Sequence, residues 1–104
     1  MTRDKIRQKI QQVKQQRLTE LNLSSNSLTE IPTEVFELEW LETLNLASNQ
    51  LTSVPESISR LTNLSYFNLG SNPLEDPPIE IAKKGINAIR EYFRQKQAEK
   101  DQRI

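Results

Sequence analysis

Between positions 18 and 78 the apolar residues return at a fixed interval. Segments starting at Leu18, Leu41 and Leu64 align without a gap for most of their length, which sets a period of 23 residues. The aligned columns are Leu18/Leu41/Leu64, Leu21/Leu44/Phe67, Leu23/Leu46/Leu69, Asn26/Asn49/Asn72, Leu28/Leu51/Leu74, Ile31/Val54/Pro77 and Pro32/Pro55/Pro78. Two more, Val35/Ile58/Ile81 and Leu38/Leu61/Lys84, hold for two turns and begin to fail in the third.

Within each unit the apolar residues two apart, as in Leu44 and Leu46, have the period of a strand with one buried face. One short strand per unit is expected. Successive strands then lie parallel, and the rest of each 23-residue unit supplies the crossover on the convex side. Side chains alternate across a sheet, so the columns Glu20/Thr43/Tyr66, Asn22/Asn45/Asn68, Ser24/Ala47/Gly70 and Ser25/Ser48/Ser71 are expected to point outward. The column Asn26/Asn49/Asn72 sits where the chain leaves the strand and turns inward, and its amides can pair loop backbone groups that would otherwise be buried alone. The proline column fixes φ after the last apolar residue of the turn and starts the convex segment in an extended conformation.

No such unit buries its apolar face alone, so the ends need caps. Residues 3 to 16 have the pattern of an amphipathic helix, with Thr2 as N-cap and Ile6, Ile10 and Val13 on one face. At the far end the pattern predicts a short helix after Pro78, a break at Gly85, and a helix from Ile86 carrying Ile86, Ile89 and Phe93 on one face with Tyr92 beside them. The expected organisation is a single domain: an N-terminal cap over 1–17, repeats over 18–40, 41–63 and a truncated 64–78, and C-terminal cap helices over 79–104.

The segments LTELNLSSNSLTEIP, LETLNLASNQLTSVP and LSYFNLGSNPLEDPP resemble the leucine-rich repeat superfamily. That resemblance implies an α/β solenoid, a short right-handed superhelix with a parallel three-stranded concave sheet and helical caps. The closing run NPLEDPPIEIAKKGINAIREYFRQ resembles the segment ending the repeat array of bacterial, especially cyanobacterial, Roco proteins, ahead of their Ras-like GTPase domain. The opening MTRDKIRQKIQQVKQQRLTELNLS resembles their first cap. The chain departs from that family at the nucleotide site: it has two glycines, Gly70 and Gly85, and no G-x-x-x-x-G-K-[ST] loop, so no GTPase activity carries over.

Net charge is zero but unevenly placed. Residues 1 to 17 carry six basic and one acidic side chain, residues 18 to 80 one basic and ten acidic, and residues 81 to 104 seven basic and three acidic. Neither basic end interleaves aromatics with a dense cluster, so solvated helix faces are the reading, without nucleic acid or membrane as partner. Basic caps meeting the acidic middle of another molecule predict weak self-association at low salt. The absence of cysteine suits a reducing compartment, and with no apolar run of membrane length or signal-like leader the expectation is a cytoplasmic protein.

With no histidine and no cysteine, the common base for serine activation and the common metal ligands are missing together. The acidic pairs Glu37/Glu39 and Glu75/Asp76 are read as solvated side chains of convex segments and turns. Trp40 either packs under the convex loops or is an exposed anchor, and Phe36 either fills a groove beside the first cap or is partly exposed. The expected function is a non-catalytic module, with no cofactor and no metal, that binds a protein or peptide through Glu20, Asn22, Thr43, Asn45, Tyr66 and Asn68 on the concave sheet. In this reading the asparagine ladder offers both donors and acceptors, and Tyr66 is the best single anchor unless it packs on the C-terminal cap. The alternative is a structural role in a Roco-type assembly, in which the repeats and the basic C-terminal helix position a neighbouring GTPase or a second copy.

Overall fold

A computed structural model describes residues 3–102 of the chain. Thr2 lies outside the described residues, and with it the expected N-cap. The first helix, α1 (Arg3–Gln16), buries Ile6, Ile10 and Val13 along one stripe, and Asp4 in its first turn and Lys14 in its last complement the helix dipole. It ends in a left-handed residue, Arg17 (φ 51°), and the N–H of Leu18 bonds back to the carbonyl of Val13 at 3.0 Å, the six-to-one closure of a Schellman turn.

That closure corrects one expectation. Leu18 is 38% exposed, whereas Leu41 and Leu64, its partners in the column, are 0% and 2% exposed. Leu41 and Leu64 each follow a full 23-residue segment whose side chains cover them. Leu18 follows the helix end instead, so the column is a core position only from its second member.

Three strands, β1 (Glu20–Asn22), β2 (Thr43–Asn45) and β3 (Tyr66–Asn68), form a parallel sheet in the order β1-β2-β3. The register pairs Glu20 with Thr43 with Tyr66, Leu21 with Leu44 with Phe67, and Asn22 with Asn45 with Asn68. The 23-residue columns are therefore the strand register itself. Leu21, Leu44, Phe67 and the leucines two positions later are all buried beneath the sheet.

Between strands the chain returns through short helices. Pro32 (φ −55°, ψ 133°) and Pro55 (φ −73°, ψ 157°) hold an extended backbone just before 3₁₀ helices at Thr33–Glu37 and Glu56–Arg60, and Pro78 (φ −58°, ψ 151°) does so before α2 (Ile79–Ala82). Val35, Phe36, Leu38, Ile58, Leu61 and Ala82 from these returns close the core from below, which places Phe36 inside. The arrangement is an α/β repeat fold, a parallel three-stranded sheet with flanking helices.

The C-terminal end is closed by α3 (Ile86–Gln102), which buries Ile86, Ile89 and Phe93. Gly85 (φ 102°) makes the bend before it in a conformation that L side chains rarely adopt, and its carbonyl accepts the N–H of Ile89 at 3.2 Å, the first bond of the helix. Arg90 ties the helix to the junction of the second and third units by donating to the carbonyls of Leu61 at 2.8 Å and Leu64 at 3.3 Å.

Candidate functional site

The strands are only three residues long because the chain turns sharply after each. Ser25, Ser48 and Ser71 take left-handed φ values of 58°, 57° and 56°, and the asparagine next in line points inward. Asn49 Nδ2 donates to the carbonyls of Leu23 and Leu46, each at 3.0 Å, while its Oδ1 accepts the N–H groups of Asn26 at 2.9 Å and Leu28 at 3.0 Å. Asn72 repeats the pattern one unit on, donating to Leu46 and Leu69 and accepting from Leu51. Each amide thus stitches its own turn to the preceding one. Asn26 has no preceding unit, and its Oδ1 has no hydrogen-bond partner among the described residues.

The left-handed serines also correct the expected outer face. Ser25, Ser48 and Ser71 are exposed, but they and the column Ser24/Ala47/Gly70 belong to the turns and lie outside the strands. Two adjacent positions cannot both face outward from a regular strand, and the left-handed residue is what turns the second one out. The strand face proper is built from six residues: Glu20, Asn22, Thr43, Asn45, Tyr66 and Asn68. Glu20 and Asn22 are exposed, Thr43, Asn45 and Asn68 half-buried, and Tyr66 is 54% exposed. The sheet brings these six into two adjacent rows, and Tyr66 does not pack away beneath the C-terminal cap.

The asparagine row differs chemically from the expectation. Asn22 Oδ1 accepts the N–H of Ser24 at 2.9 Å and its hydroxyl at 2.7 Å; Asn45 Oδ1 accepts the N–H of Ala47 at 3.0 Å and Asn68 Oδ1 that of Gly70 at 2.9 Å. A short side chain so close to its own turn satisfies the turn first. The carbonyl oxygens are engaged, and the row presents amide N–H groups, suited to carbonyl or carboxylate acceptors.

The remaining singled-out residues are structural. Trp40 is half-buried against the core; its indole N–H donates to the carbonyl of Leu18 at 2.9 Å, and the Arg17 guanidinium lies 4.2 Å from its ring centroid. Asn63, one unit later, likewise reaches back to the carbonyl of Glu39. Glu37 is exposed and pairs with Lys14 of α1 at 3.6 Å. Asp76, expected to be a solvated carboxylate, is partly exposed and in addition accepts the hydroxyl of Tyr92 and the Lys96 ammonium. Hydrogen bonding by Tyr92 first, and by Lys96, holds its carboxyl below the ordinary range against the opposing effect of partial burial. Nothing in the period marks this role, because it depends on where α3 crosses the third unit. Among the described residues no cluster of carboxylates could hold a metal ion, and no helix is long and apolar enough to cross a membrane.

Compared with known families, residues 16–74 match the family model described as leucine rich repeat. No curated protein gives a match.

Proposed function

The chain belongs to the leucine-rich repeat family, and on that premise we propose that it is a non-catalytic binding module whose outer strand face receives a protein or peptide. Domains of this family generally mediate protein–protein interaction. The observation that carries the reading here is Tyr66, a large aromatic left 54% exposed on a sheet whose other side is wholly committed to the core. Tyrosine supplies contact area at low entropic cost and is enriched among residues that dominate binding energy. Thr43, Asn45, Asn68, Asn22 and Glu20 surround it with polar groups, and the free amide N–H groups favour a partner offering carbonyl or carboxylate oxygens.

The test is a peptide selected from a display library against the intact chain. Tyr66→Ala combined with Asn45→Ala is expected to weaken its binding at least tenfold with the unfolding midpoint nearly unchanged, while Glu37→Ala with Glu39→Ala changes neither. Retained affinity in the first pair and loss in the second removes the sheet face as the site. Sedimentation at ~0.01 M and ~0.1 M salt, where the Debye length falls from about 30 to about 10 Å, tests the accompanying expectation of weak charge-driven self-association.

A second reading is a Roco-type assembly in which α3 positions a neighbouring GTPase domain. The supporting observation is that α3 runs on from Phe93 to Gln102 with every intervening residue exposed. A G-x-x-x-x-G-K-[ST] loop encoded shortly downstream of Ile104 would support it.

A further inference from the structure

The three strands give the sheet two outer edges, and the two are treated differently. At the β1 edge, Lys9 of α1 donates to the outward carbonyl of Asn22 at 2.8 Å, so the first cap covers it. At the β3 edge no such cover exists among the described residues. Just after β2 the N–H groups of Leu46 and Ser48 donate to the carbonyls of Asn68 and Gly70, each at 2.8 Å. One unit later the corresponding N–H groups are those of Leu69 and Ser71, and among the described residues they meet no acceptor. The carbonyl of Glu42 accepts the N–H groups of Ser65 and Tyr66; its counterpart, the carbonyl of Ser65, has no donor among the described residues.

A groove of about 320 Å³ runs beside this edge. All six consecutive residues from 65 to 70 line it, core-facing and outward-facing alike, which happens only along the edge of a strand. Its opposite wall is the bend between α2 and α3, with Ile79, Ala82, Lys83, Lys84 and Gly85. Lys83 and Lys84 are exposed and make no ion pair among the described residues.

We propose that this groove is a second binding site, in which an extended acidic peptide pairs with β3 as a fourth strand. Backbone pairing with the free N–H groups of Leu69 and Ser71 and the free carbonyl of Ser65 supplies affinity without regard to side chains, as in other strand additions, and Lys83 and Lys84 select carboxylates in the flanking positions. The volume is at the lower end of the ~300–1,000 Å³ typical of ligand pockets and suits a few residues of chain. A second copy is disfavoured as occupant: edge-to-edge pairing of two β3 strands brings the two lysine pairs together, and the β1 edge is already covered by α1. The site stands independently of the sheet-face reading, because its main determinants are backbone groups and two lysines outside the six face residues.

The probe is a blocked hexapeptide of alternating glutamate and valine, titrated into the intact chain with amide hydrogen exchange as readout. Expected on binding is at least tenfold slower exchange at Leu69 and Ser71 with Leu46 and Ser48 unchanged. The lysine–valine counterpart and a backbone N-methylated version are expected to bind at least tenfold more weakly. Lys83→Glu with Lys84→Glu, both on the surface, should reduce affinity by a similar factor at an unchanged unfolding midpoint, while Thr43→Ala with Asn45→Ala, on the strand face and outside the groove, leaves the protection at Leu69 and Ser71 in place. No binding, binding that leaves those two amides unprotected, or equal affinity for the lysine peptide overturns the proposal. Protection of Leu69 and Ser71 in the peptide-free chain, accompanied by dimer mass in sedimentation, overturns it in favour of a second copy.

Discussion

The hydroxyl of Tyr92, on α3, donates to Oδ1 of Asp76, sixteen residues earlier in the third unit. The backbone of Asp76 is itself fixed by a parallel bridge to Ser53, with the N–H of Val54 donating to its carbonyl at 2.9 Å. Lys96 completes the group, 3.1 Å from Oδ2 and 5.2 Å from the Tyr92 ring centroid. The closing helix is thereby pinned to the second and third units together.

This pin makes stability depend on pH at both extremes. The Asp76 carboxyl is held below its ordinary 3.8, first by Tyr92, so its contribution is complete above the unfolded value and is lost as pH falls through the folded one. The Tyr92 hydroxyl is raised above its ordinary 10.0, chiefly by Asp76, so its contribution is complete below that value and is lost as pH rises through the folded one. Tyr92→Phe should cost on the order of 1 kcal/mol at neutral pH, as expected for one partly exposed hydrogen bond. Urea midpoints at pH 6 and pH 3 check it: the loss between them should be smaller in Tyr92→Phe than in the parent chain. An equal loss rules out this pair as a source of the acid sensitivity.

The asparagine ladder predicts an unequal pair of mutants. Asn49→Ala removes the amide that serves one buried and one part-buried N–H group and two buried carbonyl partners, and should cost at least ~3 kcal/mol, at ~1–3 kcal/mol for each buried group left unpaired. Among the described residues, the side chain that Asn26→Ala removes makes one bond, from its Nδ2 to the carbonyl of Ser24 at 3.0 Å, and has an oxygen without a partner. The substitution should cost about 1 kcal/mol or less. Similar denaturation midpoints for the two variants would count against the inter-unit role of the amide.

Leu44 is fully buried in the central strand, with Leu21 and Phe67 as its neighbours in register. Leu44→Ala should cost ~2–5 kcal/mol through lost burial and the cavity left behind, enough to unfold a chain of this size at moderate temperature. Leu18→Ala, at the exposed head of its column, should cost less than about 1 kcal/mol. Thermal melts of the two variants decide the matter.

The left-handed turn at Ser48 predicts opposite effects of two small changes. Ser48→Gly relieves a Cβ strain of roughly 1–2 kcal/mol and should leave stability unchanged or slightly raised. Ser48→Val places a β-branched residue at φ 57° and should destabilise by more than that. A stable Ser48→Val protein would show that the turn can be made another way.

Much of the fold was legible in the 23-residue period, because a stack of identical units forces equivalent residues into register. The strand partners, the inward asparagines, the extended prolines and the stripe Ile6/Ile10/Val13 all follow from which residues recur, and the outward rows holding Tyr66 and Asn45 follow from the alternation within a strand. Tertiary structure decided whatever breaks the period. Leu18 loses its burial because a helix end, not a repeat, precedes it, and Asn26 loses its acceptor's partners for the same reason. Asp76 becomes a pin because α3 brings Tyr92 and Lys96 against it. The outer asparagines lose their acceptors because their turns lie closer than any partner, and β3 keeps an open edge because α3 covers the core beneath the last strand without supplying a fourth. Periodicity reports the interactions each unit shares with its neighbours; the ends, where a neighbour is missing or replaced, are set by contacts that no repeat encodes.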